Sequence, residues 1–334
     1  MTDRHLAPPH RRRTAPRPAT ALLCPGQGAY KPGALAGIRD LPHVRAVLHA
    51  VDSLHHRTHP VTHLLTDPAA PGPAELLACD PLAFDLATYT ATVAAGIAIQ
   101  EDLGHHPRIV MGHSVGDLAA LAVSGVLTPT EGATVLHVRD ELLVRIPHPP
   151  TGMLAVRAAN DDTGELLQSA GLPHTHIAAD NAPRQTVVSG PSPELDDLSR
   201  LADGLSIRTT RLDSRTGYHH PALAPIAQEL LLHLRTLPPR RPTSSLYSSA
   251  LAAPVHADHL LTATHHLTRP VRFRAALHSL QRMGITTFLD SGPGTLLAAL
   301  AKATLPTAHV VAPFRSPLDA VRLHDRLERA SEPR

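Results

Sequence analysis

Aromatic rings are scarce in this sequence, which has no Trp, four Tyr and four Phe among its 334 residues. Charge of one sign is not in excess either, since 31 basic and 29 acidic side chains give a formal net charge of +2. Proteins that bind nucleic acid generally present a basic surface, often with rings on which bases stack. The composition therefore argues against nucleic-acid binding.

Cysteine and long apolar runs are also lacking. The two cysteines, Cys24 and Cys79, are too few for a disulfide framework and do not have the spacing of a zinc site. We find no apolar run of the roughly 18 to 20 residues that a bilayer crossing requires, and no compact hydrophobic region at the N-terminus. We expect a cytoplasmic protein with no membrane segment.

Histidine and proline, by contrast, are abundant, with 25 His and 33 Pro. The histidines occur as scattered pairs among polar and proline-rich segments, which is not a pattern of metal ligands. We therefore predict no metal site. A hydrophobic content of 43% with 18% charged residues predicts a globular core, built as one large domain or one domain with an insertion.

The order of predicted elements divides the chain. Residues 1–20 are rich in Pro and Arg and predict a disordered tail, and residues 321–334 form a C-terminal tail. Residues 151–212 predict the order βαββαβ, a ferredoxin-like unit. We interpret it as a small subdomain inserted into a large α/β subdomain that comprises residues 21–150 and 213–320.

A glycine-flanked serine follows a predicted strand. Arg108-Ile109-Val110-Met111 is typical of a short buried strand, Gly112-His113-Ser114-Val115-Gly116 follows it, and Asp117 to Val123 favours a helix. Strand, turn and helix in this order are the layout of a nucleophile elbow, in which the glycines permit a tight turn. A second glycine-containing loop, Pro25-Gly26-Gln27-Gly28, follows another predicted strand and permits close approach of its backbone to a neighbour.

A buried cation is predicted in the next helix. Thr128 and Glu131 form a capping box at its start, and the apolar residues then recur at helical spacing. Arg139 falls in the middle of the apolar arc. Its guanidinium must reach solvent, pair with a carboxylate of the protein, or bind an anionic ligand, because an unpaired buried charge is costly.

These motifs together resemble the malonyl-CoA:acyl-carrier-protein transacylases and the acyltransferase domains of polyketide synthases. The resemblance covers residues 21–300, and the motifs occur in the family's order. They are Pro25-Gly26-Gln27-Gly28, Gly112-His113-Ser114-Val115-Gly116, Arg139, Asn181 to Gly190, Tyr218-His219, Arg269-Pro270-Val271-Arg272-Phe273 and Gly292-Pro293-Gly294.

The resemblance implies a role for each matching position. Ser114 is expected to be the nucleophile and His219 the general base, oriented by the main-chain carbonyl of His266. The N–H groups of Gln27 and Val115 are expected to form the oxyanion hole. The implied fold is an α/β-hydrolase-like large subdomain with a ferredoxin-like insertion.

The resemblance also implies the substrate. Arg139 is expected to bind the carboxylate of a malonyl group carried by CoA, in an orientation that lysine could not impose. Arg208 is expected to meet a phosphate of CoA or of phosphopantetheine. His113, Asn181 and Tyr218 are expected to line the site. The implied acceptor is an acyl carrier protein, with no cofactor and a monomeric enzyme.

Some positions depart from the family pattern. Tyr30 replaces a common glutamine, Asp117 replaces a glutamate, and Asp85 lies near the place of a further glutamine. The sequence around Tyr218 matches neither common extender-unit signature, so the choice between malonyl and methylmalonyl stays open.

Three alternative functions stay open as well. A hydrolase would use water as acceptor, with Asp213 as a possible acid, although six residues before His219 is an unusual place for it. A transferase between two carrier proteins would use the same nucleophile. A non-catalytic module that binds a carrier protein would have no need of Ser114 and His219.

Overall fold

The computed structural model describes residues 19–26, 28–54, 59–238 and 240–315, and these residues form an α/β fold. The predicted C-terminal tail, nearly all of the predicted N-terminal tail, and Gln27 lie outside the described residues. The described strands are β1 (Thr20–Cys24), β2 (Ile109–Gly112), β3 (Thr151–Val156), β4 (His176–Ala182), β5 (Gln185–Pro191), β6 (Thr209–Leu212), β7 (Ser245–Ser248), β8 (Ala253–Pro254), β9 (Thr287–Asp290) and β10 (His309–Val311).

Helices cover both sheets and form most of the segment between β1 and β2. The described α-helices are α1 (Pro42–Asp52), α2 (Val61–Thr66), α3 (Pro73–Cys79), α4 (Pro81–Ile97), α5 (Gly116–Val123), α6 (Pro129–Arg145), α7 (Asn160–Ser169), α8 (Ser192–Gly204), α9 (Ala224–Leu234), α10 (His265–Thr268), α11 (Phe273–Arg282) and α12 (Leu296–Thr304). A π-helical turn (Ala98–Asp102) extends α4, and 3₁₀ turns (Pro221–Leu223 and His259–Thr264) precede α9 and α10.

The larger sheet has six strands in the order β10-β9-β1-β2-β7-β8, all parallel except β8. Cys24, at the end of β1, pairs with Gly112 at the end of β2. The carboxyl ends of parallel strands lie at one edge of a sheet, so the loops that follow β1 and β2 meet there. This edge carries both glycine-containing loops that the sequence singled out.

The helix α4 and its π-helical extension form the centre of the larger layer. Together they cover Pro81–Asp102, and 89% of their most apolar stretch is buried within the fold. By length and composition this helix could cross a membrane, so the expectation that no apolar segment reaches that length is wrong for it. Its burial identifies it as the core helix of a globular layer.

The second sheet has four antiparallel strands in the order β4-β5-β3-β6. With α7 and α8 its chain order is βαββαβ, as the sequence predicts for residues 151–212. A small separate core that includes Leu154, Leu195 and Leu198 lies between this sheet and its helices. The sheet is attached to the larger layer where the backbone N–H of Asp180 donates to the carbonyl of Val271 at 2.8 Å.

Candidate active site

Ser114 lies at the apex of a tight turn between β2 and α5. Its φ is 58°, a left-handed conformation that non-glycine residues rarely adopt and that is typical of strained functional turns. A Cβ atom added at Gly116 would collide with the carbonyl oxygen of Cys24. The glycine therefore allows the start of α5 to lie directly against the end of β1.

The loop after β1 approaches the same turn. A Cβ atom added at Gly26 would lie 2.7 Å from the carbonyl oxygen of His113 and 3.2 Å from the N atom of Gly116. The close backbone approach that the sequence predicts at this loop is thus confirmed. Val115 directly precedes α5, where the first N–H groups of the helix have no intrahelical acceptor. Gln27, the other expected oxyanion donor, lies outside the described residues.

The imidazole of His219 faces this serine across 105 residues of sequence. The distance from Ser114 Oγ to His219 Nε2 is 2.8 Å. The Nδ1 atom of His219 lies 2.6 Å from the carbonyl oxygen of Arg269. A carbonyl oxygen only accepts, so Nδ1 carries the proton and the lone pair of Nε2 faces the serine hydroxyl.

The orienting carbonyl is therefore that of Arg269, and the expectation that His266 supplies it is wrong. His266 lies inside the one-turn helix α10, and its carbonyl accepts the backbone N–H of His219 at 3.0 Å. Arg269 caps α10 in an extended conformation, because residues before a proline avoid the helical region. Its carbonyl thus leaves the helix and reaches the ring.

Burial keeps this imidazole neutral. His219 is buried, and desolvation lowers its pKa to about 4. The ring is consequently uncharged at neutral pH and ready to accept a proton from Ser114. Asp213, the acid considered for a hydrolase triad, is exposed, and the Nδ1 position that such an acid would occupy is taken by the Arg269 carbonyl.

Arg139 is buried in the centre of α6 and pairs with a carboxylate of the protein. Its Nη2 donates to Oδ2 of Asp85 on α4. Its Nη1 lies 3.3 Å from Nε2 of His266, and its guanidinium carbon lies 5.4 Å from the centre of the Tyr218 ring. The internal ion pair, one of the possibilities that the sequence left open, is what this structure contains. Nη1 and Nη2 thus both contact groups of the protein, and within the described residues Nε makes no hydrogen bond.

The three residues expected to line the site lie around the serine and the histidine. The Nε2 atom of His113 donates to Oδ1 of Asn181 at 2.7 Å. The His113 ring also contacts the Phe273 ring edge-to-face, with centroids 5.2 Å apart. Tyr218 directly precedes His219 and is buried, which raises the pKa of its hydroxyl to about 12. Through the hydrogen bond from His113 to Asn181, the hairpin of the small sheet contacts the turn that carries the nucleophile.

Arg208 does not touch this centre. It is exposed just before β6, and it lines a surface groove of about 240 Å³ together with Arg157 and Arg184. Arg184 lies on the turn of the hairpin that carries Asn181. The arginine expected to meet a phosphate is therefore part of a basic groove at the end of the small sheet that adjoins the site.

Two features of the site were missed by the sequence prediction. The first is the carbonyl of Arg269, whose position before Pro270 was a usable signal of extended backbone. The second is the ion pair of Asp85 with Arg139. In the sequence, Asp85 stood out only because relatives often have a glutamine near that position. Within the described ranges, no group of three or more His, Cys, Asp or Glu side chains is placed to hold a metal ion.

Comparison with known proteins gives a family match over most of the chain. The acyl transferase domain family matches residues 83–319. The non-reducing polyketide synthase nscA of Trichophyton rubrum is 30% identical over 322 residues, which are 91% of this chain and 17% of the synthase. The chain therefore spans less than a fifth of the length of that curated relative.

Two solved structures share the fold. An acyl-carrier-protein S-malonyltransferase from Burkholderia pseudomallei superposes with a TM-score of 0.81 at 23% identity, covering 92% of this chain and 99% of that protein. A malonyl-transacylase solved in complex with the acyl-carrier protein of a type II polyketide synthase has a TM-score of 0.81 at 20% identity, with coverage of 92% and 99%.

Proposed function

The chain belongs to the acyl transferase domain family and is an acyltransferase, and on that premise we propose that it carries acyl groups as an ester of Ser114. The donor is an acyl thioester of CoA, and the acceptor is the phosphopantetheine thiol of an acyl carrier protein. One observation carries the proposal: Ser114 Oγ lies 2.8 Å from the unprotonated nitrogen of His219, whose other nitrogen is held by the Arg269 carbonyl.

The first half-reaction forms the acyl-enzyme. Ser114 Oγ attacks the thioester carbonyl carbon while its proton moves to His219 Nε2. The carbonyl oxygen gains negative charge next to the N-terminus of α5, where the Val115 N–H is the proposed donor. The C–S bond then breaks, and the departing sulfur takes the proton from His219 as CoA leaves.

The second half-reaction is the same sequence in reverse with a different thiol. The phosphopantetheine thiol of the carrier protein gives its proton to His219, and the sulfur attacks the ester carbon. The C–O bond breaks, and Ser114 Oγ regains a proton from His219 Nε2. A second carrier protein could replace CoA as donor with no change in these steps.

A Ser-His-Asp triad has a carboxylate behind its histidine, whereas His219 has the main-chain carbonyl of Arg269, and this difference suits acyl transfer between thiols. A carboxylate would stabilise the imidazolium, whereas a carbonyl orients the ring with only a partial charge. The imidazole is therefore a weaker base here, and a thiol acceptor, which is far more acidic than water, can still be deprotonated by it. The arrangement thus supports thioester exchange, and the hydrolase with Asp213 as acid is the weaker candidate.

Malonyl is the acyl group that the resemblance implies, and the Burkholderia relative is named as an S-malonyltransferase. In this chain, the guanidinium expected to bind the malonyl carboxylate already holds the carboxylate of Asp85. Malonyl is thus a prediction of the resemblance alone, and the Asp85–Arg139 pair argues against it. A cytoplasmic location and a monomeric state stay predictions.

The proposed transfer is tested by intact-mass measurement after incubation with acetyl-, propionyl-, malonyl- and methylmalonyl-CoA. We expect one acyl adduct per chain with at least one donor, located on the peptide that contains Ser114. Ser114→Ala should remove the adduct, whereas Ser53→Ala, which changes an exposed serine at the end of α1, should keep it.

The acceptor is tested by adding a carrier protein to the acylated enzyme. Holo carrier protein should discharge the adduct and gain its mass, whereas apo carrier protein, which lacks the thiol, should not. An adduct that survives in Ser114→Ala would refute the proposed nucleophile. Discharge to water at the same rate with and without holo carrier protein would favour the hydrolase.

A further inference from the structure

The Asp85–Arg139 ion pair lies against the two segments that hold the catalytic base. Tyr218, whose ring faces the guanidinium, directly precedes His219. His266, whose Nε2 lies 3.3 Å from Nη1 of the guanidinium, accepts the backbone N–H of His219 with its carbonyl. Tyr218 and His266 therefore each contact both the ion pair and the backbone of the catalytic base His219.

Both terminal nitrogens of Arg139 have partners in the protein. Nη2 donates to Asp85, and Nη1 faces Nε2 of His266. The Nδ1 atom of His266 lies 2.8 Å from the carbonyl of Ala263, so Nδ1 is protonated and Nε2 is an acceptor for Arg139. Only Nε of the guanidinium makes no hydrogen bond within the described residues.

The charges around Arg139 cancel. The guanidinium is always protonated, and its hydrogen bond favours the ionised form of Asp85. Burial lowers the pKa of His266 well below its usual range and raises the pKa of Tyr218 to about 12, so both are neutral. The Asp85–Arg139 pair has one cation and one anion, and both side chains are almost completely buried. The nearby Asp140–Arg215 pair, whose carboxylate also acts on Arg139, adds one charge of each sign.

We propose that Asp85 determines acyl-group specificity, because its carboxylate occupies the position at Arg139 that a substrate carboxylate would otherwise take. This inference rests on the acyl transfer proposed above. Acyl groups without a free carboxylate, such as acetyl and propionyl, leave the ion pair intact. A malonyl group would bring a second anion into a buried space that holds one cation, or would displace Asp85 and leave it buried without its partner. The enzyme therefore selects neutral acyl groups.

The proposal is tested by competition between two donors in one tube. Wild-type enzyme is mixed with equal concentrations of propionyl-CoA and malonyl-CoA, and the two adducts on Ser114 are quantified by intact mass before turnover. We expect the propionyl adduct to exceed the malonyl adduct at least tenfold. Asp85→Asn keeps the shape and removes the negative charge, so it should shift the ratio toward malonyl by at least tenfold.

A matched control removes another paired carboxylate of α6 that does not hold Arg139. Glu131, in the first turn of α6, pairs with Arg240. Glu131→Gln, which can still form the capping box, should therefore leave the donor ratio within about twofold of the wild type. The double variant Asp85→Leu with Arg139→Met replaces the pair by apolar side chains, as buried pairs often tolerate. It should gain no malonyl loading, because no cation remains to pair with the malonyl carboxylate.

A binding measurement separates this proposal from the proposed function. In Ser114→Ala no acylation is possible, so titration calorimetry with propionyl-CoA and malonyl-CoA reports the pocket alone. The measured quantity is the ratio of the affinity for malonyl-CoA to the affinity for propionyl-CoA. This ratio should be at least tenfold higher in the double variant Ser114→Ala with Asp85→Asn than in Ser114→Ala. Absence of any adduct on wild-type Ser114 would refute the transfer, and the ratio of the two affinities would still decide the role of Asp85.

Two outcomes would overturn the role of Asp85. The first is a wild-type enzyme that loads or binds malonyl as well as propionyl, which decides the question even if Asp85→Asn fails to fold. The second is a folded Asp85→Asn variant whose donor ratio equals that of the wild type.

Discussion

His219 Nδ1 lies 2.6 Å from the carbonyl oxygen of Arg269, and this contact determines the tautomer of the base. With Nδ1 protonated, the Nε2 lone pair faces Ser114 at 2.8 Å. His219 also has a φ of 59°, so the base and the nucleophile are both held in left-handed conformations. The surrounding fold maintains this backbone strain, on the order of 1–3 kcal/mol for each residue.

The first prediction concerns the pH dependence of acylation. Burial lowers the pKa of His219 to about 4, so the base is still neutral at pH 5.5. We expect the single-turnover acylation rate of Ser114 to change by less than about twofold between pH 7.5 and pH 5.5. A histidine with an ordinary pKa near 6.5 would be roughly 90% protonated at pH 5.5, and the rate would fall about tenfold. Rapid-quench mass spectrometry measures the rate, and circular dichroism verifies that the protein stays folded at each pH.

The second prediction concerns the hydrogen bond between His113 and Asn181. Asn181→Ala leaves the Nε2–H of His113 without its acceptor next to the nucleophile, and a lost buried hydrogen bond costs about 1–3 kcal/mol. We expect acylation to slow about tenfold while the melting temperature falls. Asn160→Ala, at the half-buried first residue of α7, is the matched control and should change neither. Equal rates for the two variants would show that this bond has no part in catalysis.

Local signals explain which parts of the fold could be predicted. The capping box of Thr128 and Glu131 is confirmed, with both of its hydrogen bonds present. Helix α1 was missed although its sequence carries the signal, since its buried residues Val44, Val47, Leu48 and Val51 recur at helical spacing. The helices α2 and α3 were not predicted, because their 6 and 7 residues are too few to show that spacing. Strand β10 was missed for a related reason, since three residues carry no periodicity.

The site shows a similar division between local and long-range information. The turn at Ser114 follows from adjacent glycines, and the structure confirms its backbone geometry. Its pairing with His219 spans 105 positions and came from the family resemblance alone. The Asp85–Arg139 pair spans 54 positions, and the sequence showed only that Arg139 needed some partner. Which partner it has depends on how α4 and α6 pack.

The third prediction tests the glycine requirement of the turn. In Gly116→Ala the added methyl group would collide with the backbone carbonyl of Cys24, which cannot move without distorting β1. We expect a loss of at least 3 kcal/mol in the free energy of unfolding, in the range of severe steric substitutions, and no detectable acylation. Gly164→Ala, with nothing within 4 Å of the new methyl group, is the control. It should stabilise the protein by up to about 1 kcal/mol, because alanine favours a helix over glycine.

The fourth prediction concerns Asp117, a buried carboxyl group at the start of α5. Desolvation raises its pKa to about 8, so between pH 4 and pH 8 the folded protein keeps a proton that the unfolded chain releases. This group therefore makes the free energy of unfolding decrease as the pH rises, by about 1.4 kcal/mol per pH unit at most. Asp117→Asn removes this titration. The free energy of unfolding of the variant, relative to that of the wild type, should therefore increase from pH 5 to pH 8. Urea unfolding at several pH values measures the difference, and parallel curves for the two proteins would contradict the prediction.

The fifth prediction assigns the groove of Arg157, Arg184 and Arg208 to the acidic carrier protein. The three side chains are exposed around one groove, and Arg184 lies on the hairpin that carries Asn181 to the nucleophile turn. Charged residues at the rim of an interface chiefly change association and its dependence on salt. Arg208→Ala should therefore raise the KM for holo carrier protein about threefold to tenfold at low salt, and less at high ionic strength, where charges are screened. Acylation of Ser114 by a CoA thioester should be affected less than this.

The control for the groove is Arg235→Ala, which removes an exposed arginine after α9. It alters the net charge of the protein by the same amount, so any general electrostatic effect on the carrier protein appears in both variants. A larger KM change for Arg208→Ala than for Arg235→Ala would locate the carrier protein at the groove. If instead Arg208→Ala slowed acylation by CoA and left the KM for carrier protein unchanged, the arginine would serve the CoA phosphates, and the carrier protein would have to dock elsewhere.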